Sequence, residues 1–107
     1  MSDAATFQLE QRAPDGLVLS GPLVFATAAS ALAQARSALG GVKSATLDLR
    51  GVQRADSAGL AVLLALSADA RNQSRTLSLQ NVPEGLRALA HLSDVESLLG
   101  LSESQKA

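Results

Sequence analysis

The sequence predicts an α/β fold, with a mixed sheet of about four strands and three to four helices. Segments with alternating apolar residues are separated by segments with helical spacing, after a strand pair at the beginning. The 107 residues are 47% hydrophobic but only 2% aromatic, so the core is built from Leu, Val and Ala. No repeat or linker divides the chain. We therefore expect one domain over residues 1–107, with an ordered core of about 6–101 and a polar tail over 102–107.

Two strands and a tight turn open the chain. The segment Thr6 to Arg12 alternates, with Phe7 and Leu9 on one side, and Leu17 to Leu19 forms a second apolar run. The intervening Ala13-Pro14-Asp15-Gly16 has residues that favour a turn. These features predict an antiparallel hairpin.

The rest of the chain alternates helices with strands, which predicts parallel strand pairs. The first helix is expected to bury Phe25, Ala28, Ala29, Leu32, Ala35 and Leu39, and Gly40-Gly41 is expected to end it. Ser93-Asp94 are expected to cap a final helical turn that carries Val95, Leu98 and Leu99. The predicted elements are a helix over Phe25–Leu39, a strand over Ala45–Leu49, a helix over Ser57–Arg71, a strand over Thr76–Gln80 and a helix over Pro83–Leu92.

Charge and composition exclude several classes of function. The formal net charge is −1 without a basic stripe, which argues against nucleic-acid binding. There is no cysteine and only one histidine, His91, so we expect no metal and no cofactor. The start of the chain lacks the pattern of a signal peptide, and the longest non-polar run, Ala58–Leu66, is too short to span a membrane. We expect a cytoplasmic protein that does not insert into the membrane.

The most informative segment runs from Leu47 to Leu60, out of a strand and into a helix. Asp56 and Ser57 are both good N-cap residues, and Gly59 in the first turn suggests that something approaches the backbone closely. A phosphate on Ser57 would be accommodated at the positive end of the helix. The alternative is that Asp-Ser only caps the helix.

The helix that begins at Ser57 has more apolar surface than one sheet can cover. Leu60, Leu63 and Leu64 suffice for packing on the sheet, so Val62 and Leu66 need another cover. Either a neighbouring helix of the same domain or another protein can supply it.

The order of elements and the phrase Asp56-Ser57-Ala58-Gly59-Leu60 resemble the STAS domain family. Leu19–Leu23 and Arg54–Leu64 are most similar to its MlaB-like branch, the small subunits of phospholipid-trafficking ABC transporters. The resemblance implies a non-catalytic subunit that binds the transporter's cytoplasmic ATPase and is held at the inner membrane by that partner. It implies a contact at the start of the helix, made by Arg54, Asp56, Ser57, Ala58, Leu60 and Ala61.

Two other functions compete with this one. Anti-sigma-factor antagonists of the same family use phosphorylation of the residue that matches Ser57 to block binding to a partner kinase. They usually carry a Gly-Glu-Leu-Asp pattern, whereas the corresponding stretch Gly21–Val24 has no acid. An enzyme would have to use Asp48, Asp56, Ser57 and His91. No motif pairs a nucleophile with a base among these residues, so we expect no catalysis.

Overall fold

The computed structural model describes residues 7–12 and 15–101, and it confirms the predicted α/β fold with a four-stranded mixed sheet. Thr6, Ala13 and Pro14 of the predicted turn, and the tail 102–107 lie outside the described residues. A short 3₁₀ helix, Ser97–Leu99, follows the last helix. The other elements are β1 (Gln8–Arg12), β2 (Gly16–Ser20), α1 (Phe25–Leu39), β3 (Ser44–Gly51), α2 (Ser57–Asn72), β4 (Thr76–Gln80) and α3 (Glu84–Leu92).

The sheet has the order β1-β2-β3-β4, with β1 antiparallel to β2 and the other pairs parallel. Leu17 lies opposite Leu47, and Leu47 lies opposite Leu79, so one apolar row crosses three strands. Glu10 and Ser78, which alternate with these positions, are exposed. Because burial alternates along β2 and β4, the core lies against one face of the sheet.

Helix α1 is turned relative to the prediction. Its buried residues are Thr27, Ala31, Ala35 and Leu39, whereas Phe25 is 84% exposed and Ala29 is also exposed. The expectation that Phe25 belongs to the core is therefore wrong. Small residues at every fourth position let α1 pack closely on its neighbours, and this leaves the aromatic ring outside. Gly41 has a φ of +84° after the helix, in agreement with the predicted stop.

The C-terminal segment follows the prediction only in part. Leu86 and Ala90 of α3 are buried, and so is Leu99. Ser93 and Asp94 do not cap the final turn, since the 3₁₀ helix begins after Glu96. The backbone explains the difference, because α3 ends in a turn whose Asp94 has a φ of +59°.

Asp48 ties strand β3 to the loop after β4. Its carboxylate accepts hydrogen bonds from the Arg50 backbone N–H at 3.0 Å, from Arg50 Nε at 2.9 Å and from Asn81 Nδ2 at 2.9 Å. The Arg50 side chain and then Asn81 outweigh the effect of burial and lower the pKa of Asp48 from 3.8 to about 2. The charged carboxylate therefore stabilises the fold, and this contribution is lost as the pH falls from 3.8 through about 2.

We predict that Asp48→Asn lowers the free energy of unfolding at neutral pH by about 2 kcal/mol. The variant should also lose stability less steeply than the wild type on acidification, because its amide does not titrate. Denaturant unfolding at a series of pH values measures both effects. Asp94→Asn is the matched control, since Asp94 is exposed and Asn tolerates its positive φ. Parallel pH profiles for Asp48→Asn and the wild type would contradict the assignment.

Candidate partner-binding site

Two connections of the chain meet at the C-terminal edge of the sheet. The connection from β2 to α1 and the connection from β3 to α2 are joined by an isolated parallel bridge between Leu23 and Ala55. The Leu23 N–H donates to the Arg54 carbonyl at 2.8 Å, and Leu23 is fully buried. Helices α1 and α2 therefore begin side by side.

The carboxylate of Asp56 binds the first turns of both helices. Its Oδ1 accepts from the backbone N–H of Ala58 at 2.9 Å and of Gly59 at 3.2 Å, so that Asp56 is the N-cap of α2. Its Oδ2 accepts from the N–H of Phe25, the first residue of α1, at 3.1 Å. Partial burial acts to raise the pKa of Asp56, but the three backbone donors outweigh it and hold this pKa below 3.8. Asp56 thus caps α2 and, beyond the predicted role, also binds the first N–H of α1.

Thr27 completes the start of α1, and sequence reasoning missed it. Its hydroxyl accepts from the Val24 N–H at 3.0 Å and donates to the Pro22 carbonyl at 2.9 Å. The available signal was a threonine three residues after the last extended residue, a position whose side chain can reach back to the cap N–H. This bonding fixes the direction in which Phe25 leaves the loop.

Gly59 is needed because the chain's own backbone lies against it. A Cβ at this position would overlap the Leu23 carbonyl oxygen, and Leu23 Cγ also lies close. The close approach that the sequence suggested is therefore internal to the domain. Gly59 lets α2 begin directly against the connection that leads to α1.

The residues predicted to bind a partner do not all reach the surface. Ser57 and Ala61 are exposed, Ala58 is half-buried, and Arg54 is exposed in the preceding connection. Leu60, in contrast, is 5% exposed and belongs to the core, so the expectation that it meets a partner is wrong. Successive residues of a helix are about 100° apart, so Leu60 lies on the core side of α2 although the next residue, Ala61, is exposed.

Val62 and Leu66 are covered by the domain itself. Their exposed fractions are 4% and 1%, and both belong to the core. The sequence left open whether the same domain or another protein covers these two residues, and the structure shows that the domain itself does. Neither residue forms an exposed apolar flank, although the small exposed part of Val62 lines the cleft described next.

Exposed apolar surface is instead found between α1 and α2. We call this cleft of about 510 Å³ the α1/α2 groove. The exposed ring of Phe25 lies at its Ser57 end, and an ion pair between Arg36 and Asp69, at 2.7 Å, joins the helices near their other ends. Its lining residues are Phe25, Ala28, Ala29, Leu32, Ala58, Ala61, Val62 and Ala65.

The candidate catalytic residues are not brought together. Ser57 makes no side-chain hydrogen bond within residues 7–12 and 15–101. The Asp48 carboxylate binds Arg50 and Asn81, and exposed His91 contacts Glu96 at 3.1 Å. Ser57 therefore has no hydrogen-bonded base among the described residues, an arrangement by which serine nucleophiles are activated.

The described residues hold neither a cluster of metal-ligating side chains nor a helix that could span a membrane. No group of three or more His, Cys, Asp or Glu side chains is placed to hold a metal ion in that part of the chain. None of its helices is both long and apolar enough to cross a membrane.

The fold is that of known STAS domains. The anti-sigma factor antagonist SpoIIAA in its unphosphorylated form is 20% identical, with a TM-score of 0.68 over 87% of this chain and 84% of that one. The phosphorylated form of the Bacillus cell fate determinant SpoIIAA gives 0.66 at 20% identity, over 87% of each chain. A sulfate transporter family protein from Wolinella succinogenes gives 0.65 at 19% identity, over 88% of this chain and 76% of that one.

Sequence comparison identifies the family itself. The family model described as "Mlab, STAS domain" matches residues 7–100, so the chain belongs to that family. The comparison with curated proteins gave no match.

We predict that Gly59→Ala destabilises the domain, although alanine is the better helix former by about 1 kcal/mol. The added Cβ meets the Leu23 carbonyl, and the resulting shift should cost about 1–3 kcal/mol. Gly85→Ala in α3 is the matched control. A Cβ at Gly85 meets no atom within 4 Å, so this variant should be as stable as the wild type or more so. Thermal unfolding of both variants measures the difference, and equal gains in Tm would refute the close packing at Gly59.

Proposed function

We propose that this protein is a non-catalytic regulatory or assembly subunit that binds the cytoplasmic ATPase of a phospholipid-trafficking ABC transporter. The start of α2 is the proposed contact. The observation that carries the proposal is an exposed, unbonded Ser57 beside an open apolar groove, in a member of the family described as "Mlab, STAS domain". Its proposed place is the cytoplasmic side of the inner membrane, where its partner holds it.

The chemistry of the site suits a protein partner. Protein interfaces combine a packed apolar centre with a polar rim, and aromatic residues often anchor them. The α1/α2 groove and Phe25 supply the apolar centre, while Arg54 and Ser57 supply polar groups beside it. No charged residue interrupts the exposed side of α1 between Phe25 and Arg36.

The rigidity of the site supports the same function. Asp56 and Thr27 hold the helix starts by hydrogen bonds to backbone groups, so the positions of Ser57 and Phe25 are set before a partner arrives. A preorganised surface loses less conformational entropy when it binds. The contact residues in this proposal are Phe25, Arg54, Ser57, Ala58 and Ala61, with Asp56 as the residue that positions them.

A second candidate function is that of an anti-sigma-factor antagonist switched by phosphorylation of Ser57. The exposed hydroxyl of Ser57 favours it, because a kinase could reach this group. The stretch from Gly21 to Val24 counts against it, since it has no acidic residue and Leu23 is buried against the start of α2. Incubation with candidate serine kinases and ATP, followed by intact-mass measurement, separates the two functions. Stoichiometric phosphorylation of Ser57 would favour this second function.

For the ATPase contact, we predict that Ala61→Arg weakens binding to the ATPase subunit at least about tenfold, because a charge and a long side chain enter the groove. Ser57→Asp should also weaken binding, whereas Ser57→Ala should weaken it less. Affinity measured with the purified ATPase subunit tests these values.

The matched control for these variants is Ala88→Arg, which places the same side chain at an exposed alanine of α3. All variants should unfold at nearly the wild-type temperature, since the three positions are exposed. Leu60→Arg is unsuitable, because it would bury a charge in the core. Wild-type affinity for both Ala61→Arg and Ser57→Asp would end the proposal.

A further inference from the structure

A cleft at the opposite end of α2 is lined by two arginines and two serines. We call it the α2 C-terminal cleft; it has a volume of about 210 Å³ and includes Ser67, Arg71, Arg75 and Ser97. Leu77 and Leu98 form part of its apolar wall. It lies apart from the start of α2, where the partner contact is proposed.

The guanidinium groups in this cleft lack a counter-charge. Within residues 7–12 and 15–101, no carboxylate forms an ion pair with Arg71 or Arg75. Asp69 lines a neighbouring cleft that Arg75 also lines, and both of its oxygens accept from Arg36, at 2.7 and 3.4 Å. The cleft therefore concentrates positive charge on a protein whose formal net charge is −1.

One donor of Arg75 is buried and unsatisfied. Among the described residues its Nε has no hydrogen-bond partner, while its Nη2 donates to Gln73 Oε1 at 2.6 Å. Buried donors of charged groups are costly to leave unpaired, and in folded proteins they normally meet a protein atom, a water molecule or an ion.

The C-terminal end of α2 opposes an anion less than a free helix end would. The carbonyls at a helix end carry partial negative charge, which repels an anion when they are free. Three of the last four carbonyls of α2 are occupied within the turn: the Gln73 N–H donates to Asp69 and Ala70, Ser74 to Arg71, and Arg75 to Ala70 at 2.7 Å.

We propose that the α2 C-terminal cleft binds a phosphate group through Arg75 and Arg71, with the hydroxyls of Ser67 and Ser97 as further donors. Planar guanidinium groups match the oxygens of phosphate, and Arg71 and Arg75 bring two of them to one cleft. Both a free phosphate and the headgroup of a lipid carry this chemistry.

The test is a titration of the full chain with inorganic phosphate, followed by amide chemical shifts at constant ionic strength in sodium chloride. The structure predicts saturable shifts in the millimolar range or below, centred on Ser67, Arg71, Arg75 and Ser97. Arg75→Gln should weaken binding about tenfold or more, as expected for a charged hydrogen-bonding group. Arg71→Gln provides a second variant if Arg75→Gln does not fold.

Arg87→Gln in α3 is the matched control and should bind phosphate like the wild type.

A second experiment compares binding of the protein to vesicles of phosphatidylglycerol with its binding to vesicles of phosphatidylcholine. Binding of phosphate without vesicle binding assigns the site to a free phosphate or a small phosphomonoester. Arg75-dependent binding to the anionic vesicles assigns it to a lipid headgroup. Two results together would overturn the proposal. The first is amide shifts that do not saturate with phosphate, or phosphate binding that Arg87→Gln weakens as much as Arg75→Gln does. The second is the absence of Arg75-dependent vesicle binding.

Discussion

The site depends on one carboxylate that binds the beginnings of two helices. Asp56 is the N-cap of α2 and also accepts from the first N–H of α1, which is 31 positions away in the sequence. The first N–H groups of a helix have no partner within the helix, so each needs an acceptor from outside. By meeting this need for both helices at once, Asp56 fixes their starts relative to each other.

The surface beside Asp56 follows from that constraint. Because Gly59 lies against the Leu23 carbonyl, α2 starts directly against the loop that leads into α1. The facing positions are mostly alanines, which leave a groove between the helices, and Phe25 stands exposed at its end. Ser57, next to the capping residue, points away from the core and remains accessible. Asp56 and Gly59, which hold the two helix starts together, are thus neighbours in the chain of Ser57, which is proposed to bind the partner.

The sequence predicts the elements well and the surfaces less well. The bounds of α1 and β4 and the start of α2 are as predicted, because Gly40-Gly41, the Asp-Ser cap and the alternating leucines are local signals. The burial of Val62 and Leu66 depends on how α1 and α3 pack, and no local pattern contains that information. Phe25 is the clearest case. Its hydrophobicity predicts a core position, but Thr27 and the small residues of α1 turn the helix so that the ring lies outside.

The most direct measurement is the pH titration of three amide protons by NMR. If one carboxylate binds both helix starts, the amide shifts of Phe25, Ala58 and Gly59 must follow the ionisation of Asp56. The account predicts one shared midpoint for all three, below the ordinary value of 3.8. A Phe25 amide that does not titrate with the other two would contradict it, because α1 would then begin independently of Asp56.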